Sequence, residues 1–424
     1  MTRITVTKEE VLTYHAQLPA GKIGTAITKS LQTPRDLITA YTPGMGAVCE
    51  AIAEHNESVY QYTGKGNLVG IISNGTAVLG YGNIGPFAAK PVMEAKAMIL
   101  KRFAGIDAFD IEIDVTTPAE VIQVIKAIAP TFGALNLEDI KAPECFQIEE
   151  ELIQQLDIPV MHDDQHATAI VVAAALLNAL LVANKALSAV QIVFSGAGAG
   201  ATATAKLLID LGANPAHIIM CDRKGVIRKD REELEPLKAP FATDRPVYTL
   251  HDAVVGADVF IGLSSGNILM ADSVKKMAAH PIVFGLANPL PEISYETVME
   301  ARKDVIFATG RGDYPNQANN LLAFPYVFRG ALDVRATAIN GAMHQAAVQA
   351  IAALAQEEVP LLIRKYYGHT MHFGKEYLLP KAMDERLLTT VSIAVSKAAM
   401  ESGVARSPIM DWEEHQQALL QRLK

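Results

Sequence analysis

Two acidic pairs in this sequence have the residue types and spacing to do chemistry: Glu138-Asp139 and Asp163-Asp164. Each follows a short apolar run, 134–137 and 158–161, that reads as a strand. Carboxylates gathered at strand ends lose hydration and repel one another unless something cationic joins them. Hard oxygen ligands of this kind suit Mg2+ or Mn2+. Either pair alone would read as solvated loop acids. His162 and His166 stand four apart, a spacing that zinc can use, but oxygen neighbours and the lack of nearby thiols argue against zinc.

A second chemical signal is Gly196-Ala197-Gly198-Ala199-Gly200-Ala201, which satisfies the G-x-G-x-x-G/A pattern. Such a turn lets backbone approach a pyrophosphate and aims a helix N-terminus at it. It falls between a strand at 191–194 and a helix at 202–211, and Asp222 closes the next strand at 218–221. A carboxylate there is placed for the ribose hydroxyls and repels a 2′-phosphate, so NAD is the expected cofactor. Arg223 and Lys224 follow at once and could bind that phosphate, which keeps NADP as the alternative. An upstream copy, Gly80-Tyr81-Gly82-Asn83-Ile84-Gly85, has proline directly after its last glycine, and Asp110 or Glu112 would fall within the next strand rather than at its end. It is read as a structural turn that positions the following helix.

The elements around these residues alternate. Strands are expected at 68–72, 77–79, 108–115, 134–137 and 158–161, with a helix over 91–103 and another starting at Thr117. Further strands fall at 191–194, 218–221, 259–262, 282–285 and 305–307. Helices are expected at 169–183, 202–211, 336–356 and 385–402. Strands separated by helices indicate an α/β fold with a doubly wound parallel sheet. The run at 169–183 is rich in alanine, contains Asn178 and is shorter than the roughly 20 apolar residues of a membrane span, so it reads as an internal helix. The 424 residues are 50% hydrophobic and 20% charged, which is ordinary globular material. A formal net charge of −9 disfavours nucleic acid or an anionic membrane as partner. Cys49, Cys145 and Cys221 are odd in number and widely spaced, which points to a reducing compartment. With no apolar leader at the N-terminus, a cytoplasmic location is expected.

Several longer segments carry a resemblance. Asn136-Leu137-Glu138-Asp139-Ile140, His162-Asp163-Asp164-Gln165-His166, Tyr41-Thr42-Pro43-Gly44 and the run from Asn74 to Gly80 resemble the motifs of bacterial-type malic enzymes. So do Ala287-Asn288-Pro289, the run from Asp313 to Gln317, Asn319-Asn320, Gly330-Ala331-Leu332-Asp333 and the run from Met400 to Ala405. The resemblance covers nearly the whole chain. It implies an N-terminal substrate domain at 1–160, a Rossmann-like NAD(P)-binding domain at 161–385 and a C-terminal helical extension at 386–424. It further implies that Glu138, Asp139 and Asp164 hold Mg2+ or Mn2+, that Lys96 is the general base supported by Asp163, and that Tyr41 is the general acid. Asn288, Asn319 and Asn320 would hold substrate, and Asn288 would also border the cofactor. Ala167, Gly312 and Ala201 depart from residues expected in the family's pattern.

The implied reaction is oxidative decarboxylation of malate to pyruvate through bound oxaloacetate, with reduction of NAD(P). A lysine serves as its base if burial or a nearby cation lowers its pKa toward neutrality. One alternative is an oxaloacetate decarboxylase with little hydride transfer. Another is a non-catalytic dinucleotide-binding regulator, which would need neither Lys96 nor Tyr41 nor the carboxylates. The resemblance implies a homodimer, with Tyr41 reaching an active site near the partner subunit. No added acyltransferase-like domain is seen, so a stand-alone enzyme is expected. Arg311-Gly312-Asp313 spells an adhesion tripeptide by chance.

Overall fold

The computed structural model describes residues 6–367 and 371–423. Two parallel sheets organise it. The first contains β1 (Leu68–Ser73), β2 (Asp107–Glu112), β3 (Ala134–Leu137) and β4 (Val160–His162) in the order β2-β1-β3-β4. The second contains β5 (Ile192–Ser195), β6 (Ile218–Asp222), β7 (Gly225–Val226), β8 (Val259–Gly262), β9 (Ile282–Gly285) and β10 (Ile306–Thr309). Its order is β10-β9-β8-β5-β6-β7, and only β7 runs antiparallel to its neighbour. The central strands are mostly apolar, apart from Asn136 and Ser195, and buried along their whole length, as expected where helices cover both faces of a sheet. Strand order reverses at β5, which opens a crevice between the carboxyl ends of β5 and β8.

Several expectations shift: the strand expected over 108–115 ends at Glu112, and the helix expected over 336–356 begins at Gly341. Residues 77–79 form no strand; Val78 makes a single bridge to Gly82. The helix expected over 91–103 runs Gly85–Ala104 with Pro91 inside it. The helix expected at 169–183 begins at Asp163, so the second acidic pair lies in its first turn and not in a loop before it. Helix Asp163–Ala183 is long and apolar enough to cross a membrane, yet most of its side chains are buried against helices Ala199–Asp210 and Gly341–Gln356.

The segment before β1 behaves differently. Helices Lys8–Ala16, Pro34–Ala40, Met45–Glu54 and Val59–Tyr62 bury no residue. It is tied to helix Gly85–Ala104 by Lys22, whose Nζ donates to the Pro91 carbonyl at 3.0 Å and lies 3.8 Å from Glu94.

Candidate active site

Parallel pairing of β3 and β4 sets Leu137 opposite His162. The next residues, Glu138 and Asp163, therefore emerge side by side at the carboxyl end of the sheet. Asp163 and Asp164 also open a 21-residue helix, whose N-terminal dipole favours negative charge. Lys96 reaches the same place from helix Gly85–Ala104. Its Nζ donates to Asp163 Oδ2 and lies 3.0 Å from Glu138 Oε1, over the Phe324 ring. Asn320 Nδ2 donates to the same Asp163 oxygen. Asn136, fully buried on β3, donates to Glu138 Oε2 at 2.9 Å. Asp139 takes a left-handed backbone (φ 53°), which aspartate tolerates better than most residues. Its N–H donates to Asp164 Oδ2 at 2.9 Å, and its carbonyl accepts from Ala77 N at 2.9 Å.

Burial opposes the charge on Lys96, but Asp163, Glu138 and Asp164 together outweigh it and raise the lysine pKa. The expected lowering is thus absent while the carboxylates stand with the lysine alone. Burial lifts Glu138 well above the usual carboxylate range despite Lys96. Burial, then Asp164, pushes Asp139 up to about 7. Asp163 is raised by burial and by Asp164, against the pull of Lys96. One lysine cannot neutralise four acids, so the pocket is short of positive charge.

The donor set fits a hard dication. Oxygens of Glu138, Asp163 and Asp164 lie within 4.8 Å of one another. Asp139 Oδ2 and Asp163 Oδ1 are buried without a hydrogen-bond partner, and such atoms call for one. Of the expected ligands, Glu138 and Asp164 belong to this trio. Asp139 adjoins it through its backbone, and the third member is Asp163, the residue expected to support Lys96. The two histidines do not converge. His162 is wholly buried, whereas His166 bonds Glu149 at 3.0 Å and stacks on His344.

The glycine-rich turn lies at the crevice between β5 and β8. Gly196 has φ 111°, and a Cβ there would run into the Leu263 carbonyl oxygen after β8. Ser195 and Ser264 meet across the crevice at 2.9 Å. Gly198 precedes helix Ala199–Asp210, and a Cβ on Gly200 would sit 3.1 Å from the Asp164 carbonyl oxygen. Ala197 is half-buried; Ala201 is buried, so its methyl is accommodated where glycine was expected. The upstream turn folds back on Gly75, whose carbonyl accepts from Ile84 and Gly85, and it launches the Lys96 helix. Asp222 ends β6 but is already engaged by Arg231 at 2.9 Å and Lys238 at 3.3 Å, which help to hold its carboxyl down to about 2 against burial.

The remaining candidates are spread around this core. Asn320 joins it directly. The Asn319 side chain caps the short turn that follows, accepting from Leu321 N at 3.0 Å. Asn288 is exposed on the loop after β9, where its carbonyl would meet a Cβ on Gly80. Tyr41 is 69% exposed, and among the described residues no hydrogen bond or ion pair joins it to the Lys96 cluster. Asn136, Phe324, Arg231 and Lys238 were given no role from the sequence. Asn136 alone had a local signal, its place two residues before Glu138.

Residues 20–120 match the family "Malic enzyme, N-terminal domain", and residues 165–363 match "Malic enzyme, NAD binding domain". The NADP-dependent malic enzyme of Halomonas elongata is 52% identical over 95% of this chain and 95% of its own length. The NAD-dependent malic enzyme of Rhizobium meliloti is 50% identical over 96% of this chain. The chain spans 53% of that relative, and about half the length of several others. The crystal structure of a malic enzyme from Pyrococcus horikoshii superposes with a TM-score of 0.87 at 39% identity, covering 98% of this chain and 95% of that one.

Proposed function

The chain belongs to the malic enzyme family, and from that premise we propose that it converts malate to pyruvate and CO2 through bound oxaloacetate, with reduction of NAD(P). The observation that carries this reading is the meeting of Lys96, Glu138, Asp163 and Asp164 beside the dinucleotide turn. In it, Lys96 Nζ takes the C2 hydroxyl proton, and a bound nicotinamide would supply the acceptor for the C2 hydride. Asp163 aims that lysine, and Asn320 holds Asp163. Glu138, Asp164 and either Asp163 or Asp139 would hold Mg2+ or Mn2+, with Asn136 orienting Glu138. Such an ion would supply Lewis-acid polarisation and charge stabilisation for the loss of CO2. Neutralising the acids also removes what keeps Lys96 protonated, which a base requires. Tyr41 returns a proton to C3. Asn288, Asn319 and Asn320 line the malate side, and Gly196 to Ala201 cradle the pyrophosphate. Residues 1–160 would handle substrate, 161–385 the dinucleotide, and 386–424 form helical support.

We further infer a homodimer located in the cytoplasm. The unburied N-terminal helices, with exposed Leu37, Ile38 and Tyr41, face the same problem as Leu79, Tyr81 and Phe87 on the turn before the Lys96 helix. Apolar patches of this kind mark association surfaces. A second copy would cover them and bring Tyr41 to a site it does not touch within one chain. The three cysteines are free, which supports a reducing compartment. The complete dinucleotide turn, and the malic enzyme names of the relatives, disfavour a decarboxylase without hydride transfer. The test is to supply Mn2+, malate and either NAD or NADP and follow absorbance of the reduced nicotinamide. Reduction with at least one cofactor is expected. CO2 release from oxaloacetate with no reduction of either would overturn the reading.

A further inference from the structure

A buried carboxylate with no cation beside it stands behind the dinucleotide crevice. Glu292 has no exposed surface, and among the described residues it forms no ion pair. Burial raises its pKa, and main-chain donors oppose that rise. Glu292 Oε1 accepts from Ser264 N at 2.8 Å and from Ser264 Oγ at 3.4 Å. Glu292 Oε2 accepts from Ala287 N at 3.1 Å. The two oxygens thus serve different loops, one after β8 and one after β9. The backbone repeats the tie: Leu269 N donates to the Glu292 carbonyl and Asn267 N to the Pro291 carbonyl, each at 3.0 Å. Gly262, at the end of β8, leaves room for the carboxylate, since a Cβ there would run into Glu292 Cδ. A charge buried without a counter-ion is costly. What it does here, and an apolar side chain could not, is hold main-chain N–H groups of two loops at once.

Each loop has a place in the site. The loop after β8 carries Leu263, whose carbonyl a Cβ on Gly196 would meet, and Ser264, whose hydroxyl meets that of Ser195 at 2.9 Å. The loop after β9 carries Ala287, and Asn288 follows it directly. In the sheet, β8 and β9 stand on one side of β5, and β6 stands on the other. A dinucleotide with its pyrophosphate at Gly196 and its adenosine toward β6 sends its nicotinamide the other way, over the ends of β8 and β9. Those are the two ends that Glu292 joins.

We propose that Glu292 seats the nicotinamide ring. By tying the loops after β8 and β9 to one carboxylate, it fixes the wall against which the ring packs and, through Ala287, the place of Asn288 beside it. Glu292 touches neither ligand; it acts through Ser264 and Ala287 and is a positioning residue. The inference rests on the reading of the chain as an NAD(P)-dependent enzyme and deepens it.

The experiment titrates the full chain with a reduced dinucleotide, NADH or NADPH, and with the fragment that ends before the ring, ADP-ribose or its 2′-phosphate. Calorimetry gives both affinities, and nicotinamide fluorescence reports whether the ring is held. Glu292→Gln keeps size and shape but sets an amide NH2 against a main-chain N–H that cannot turn away, so one loop is released. The fragment should bind this variant within about twofold of the wild type, while the whole dinucleotide should weaken about tenfold, as one buried donor left without an acceptor costs. Emission of the bound dinucleotide should fall back toward that of the free one. A residue that only stabilises the fold would weaken both ligands together or neither. Equal weakening of the two, or an unchanged affinity ratio in folded Glu292→Gln, overturns the proposal. So does a wild type that binds fragment and whole dinucleotide equally with no change in emission. If Glu292→Gln fails to fold by circular dichroism, Glu292→Asp, one methylene shorter and able to reach only one loop, must show the same selective loss, and an unchanged ratio there overturns it too. A held ring in the wild type without any malate-dependent reduction would sink the functional reading and leave the inference standing.

Discussion

Lys96 is held among acids that outnumber it, so its chemistry depends on what neutralises them. Lys96→Ala should lower kcat by roughly 10²–10⁴-fold, the usual worth of a positioned base, while cofactor binding by calorimetry stays unchanged. Loss of cofactor binding in that variant would show a structural lysine. Asn136 touches no substrate in this reading; it holds Glu138 at 2.9 Å. Asn136→Ala should therefore weaken Mn2+ affinity about 10–100-fold, measured by titration, and kcat at saturating Mn2+ should change far less. Lys381 offers a separate test away from the site. It is buried under the Tyr367 ring with no carboxylate bonded to it among the described residues, and burial holds its pKa down to about 8. The unfolded chain keeps its proton up to the ordinary value of 10.5, so between pH 8 and 10.5 the unfolded state binds more protons and stability rises with pH. Below pH 8 the buried charge costs about 3 kcal/mol. Lys381→Met should raise the melting temperature at pH 7 and flatten its rise between pH 8 and 10.5. Unchanged slopes would show the lysine to be solvated.

The glycine turn is the element whose geometry leaves least freedom. Gly196→Ala places a methyl against the Leu263 carbonyl in a backbone region that alanine rarely adopts. Dinucleotide affinity should fall at least about tenfold for a strain of roughly 1–3 kcal/mol, read by calorimetry, with the far-ultraviolet dichroism intact. Retained affinity would remove the turn from the cofactor site. This turn was legible in the sequence because its spacing, flanking strand and helix are all local. The carboxylate pairs were legible for a similar reason, since each ends an apolar run and parallel strands present such ends together. Helix boundaries were not. Pro91 looks like a helix start, yet it lies inside helix Gly85–Ala104, which begins at the turn formed by Gly75 and Gly85. Asp163 reads as a loop residue until it is seen that a helix N-terminus welcomes its charge. Partners far apart in the chain leave no local trace: Asn320 on Asp163 and Phe324 under Lys96 are set by packing of the two sheets' helices. Arg231 on Asp222 is only nine residues away, but the β7 strand that brings it back is two residues long.

At the scale of the whole molecule, the N-terminal segment has helices but no core of its own. If a second copy supplies that core, sedimentation should give a dimer, and Leu37→Asp with Ile38→Asp should give a folded monomer of much lower activity. A wild-type monomer would remove the homodimer. Complementation decides where Tyr41 works. Lys96→Ala and Tyr41→Phe proteins, each inactive alone, should regain activity when unfolded and refolded together, because one mixed interface restores a complete set. No recovery in demonstrably mixed dimers would return Tyr41 to its own chain. One helix carries a further consequence. Asp163–Ala183 starts with the acids of the substrate sheet, and the Asp164 carbonyl rests against Gly200 of the dinucleotide turn. In the proposed reading, malate and dinucleotide would both bear on the first turn of this one helix. Whatever factor malate imposes on dinucleotide affinity, the dinucleotide must return to malate in equal measure. An inhibitor that displaces this first turn from either pocket would be felt at both, so a compound selected against one pocket should show mixed, rather than purely competitive, kinetics toward the other.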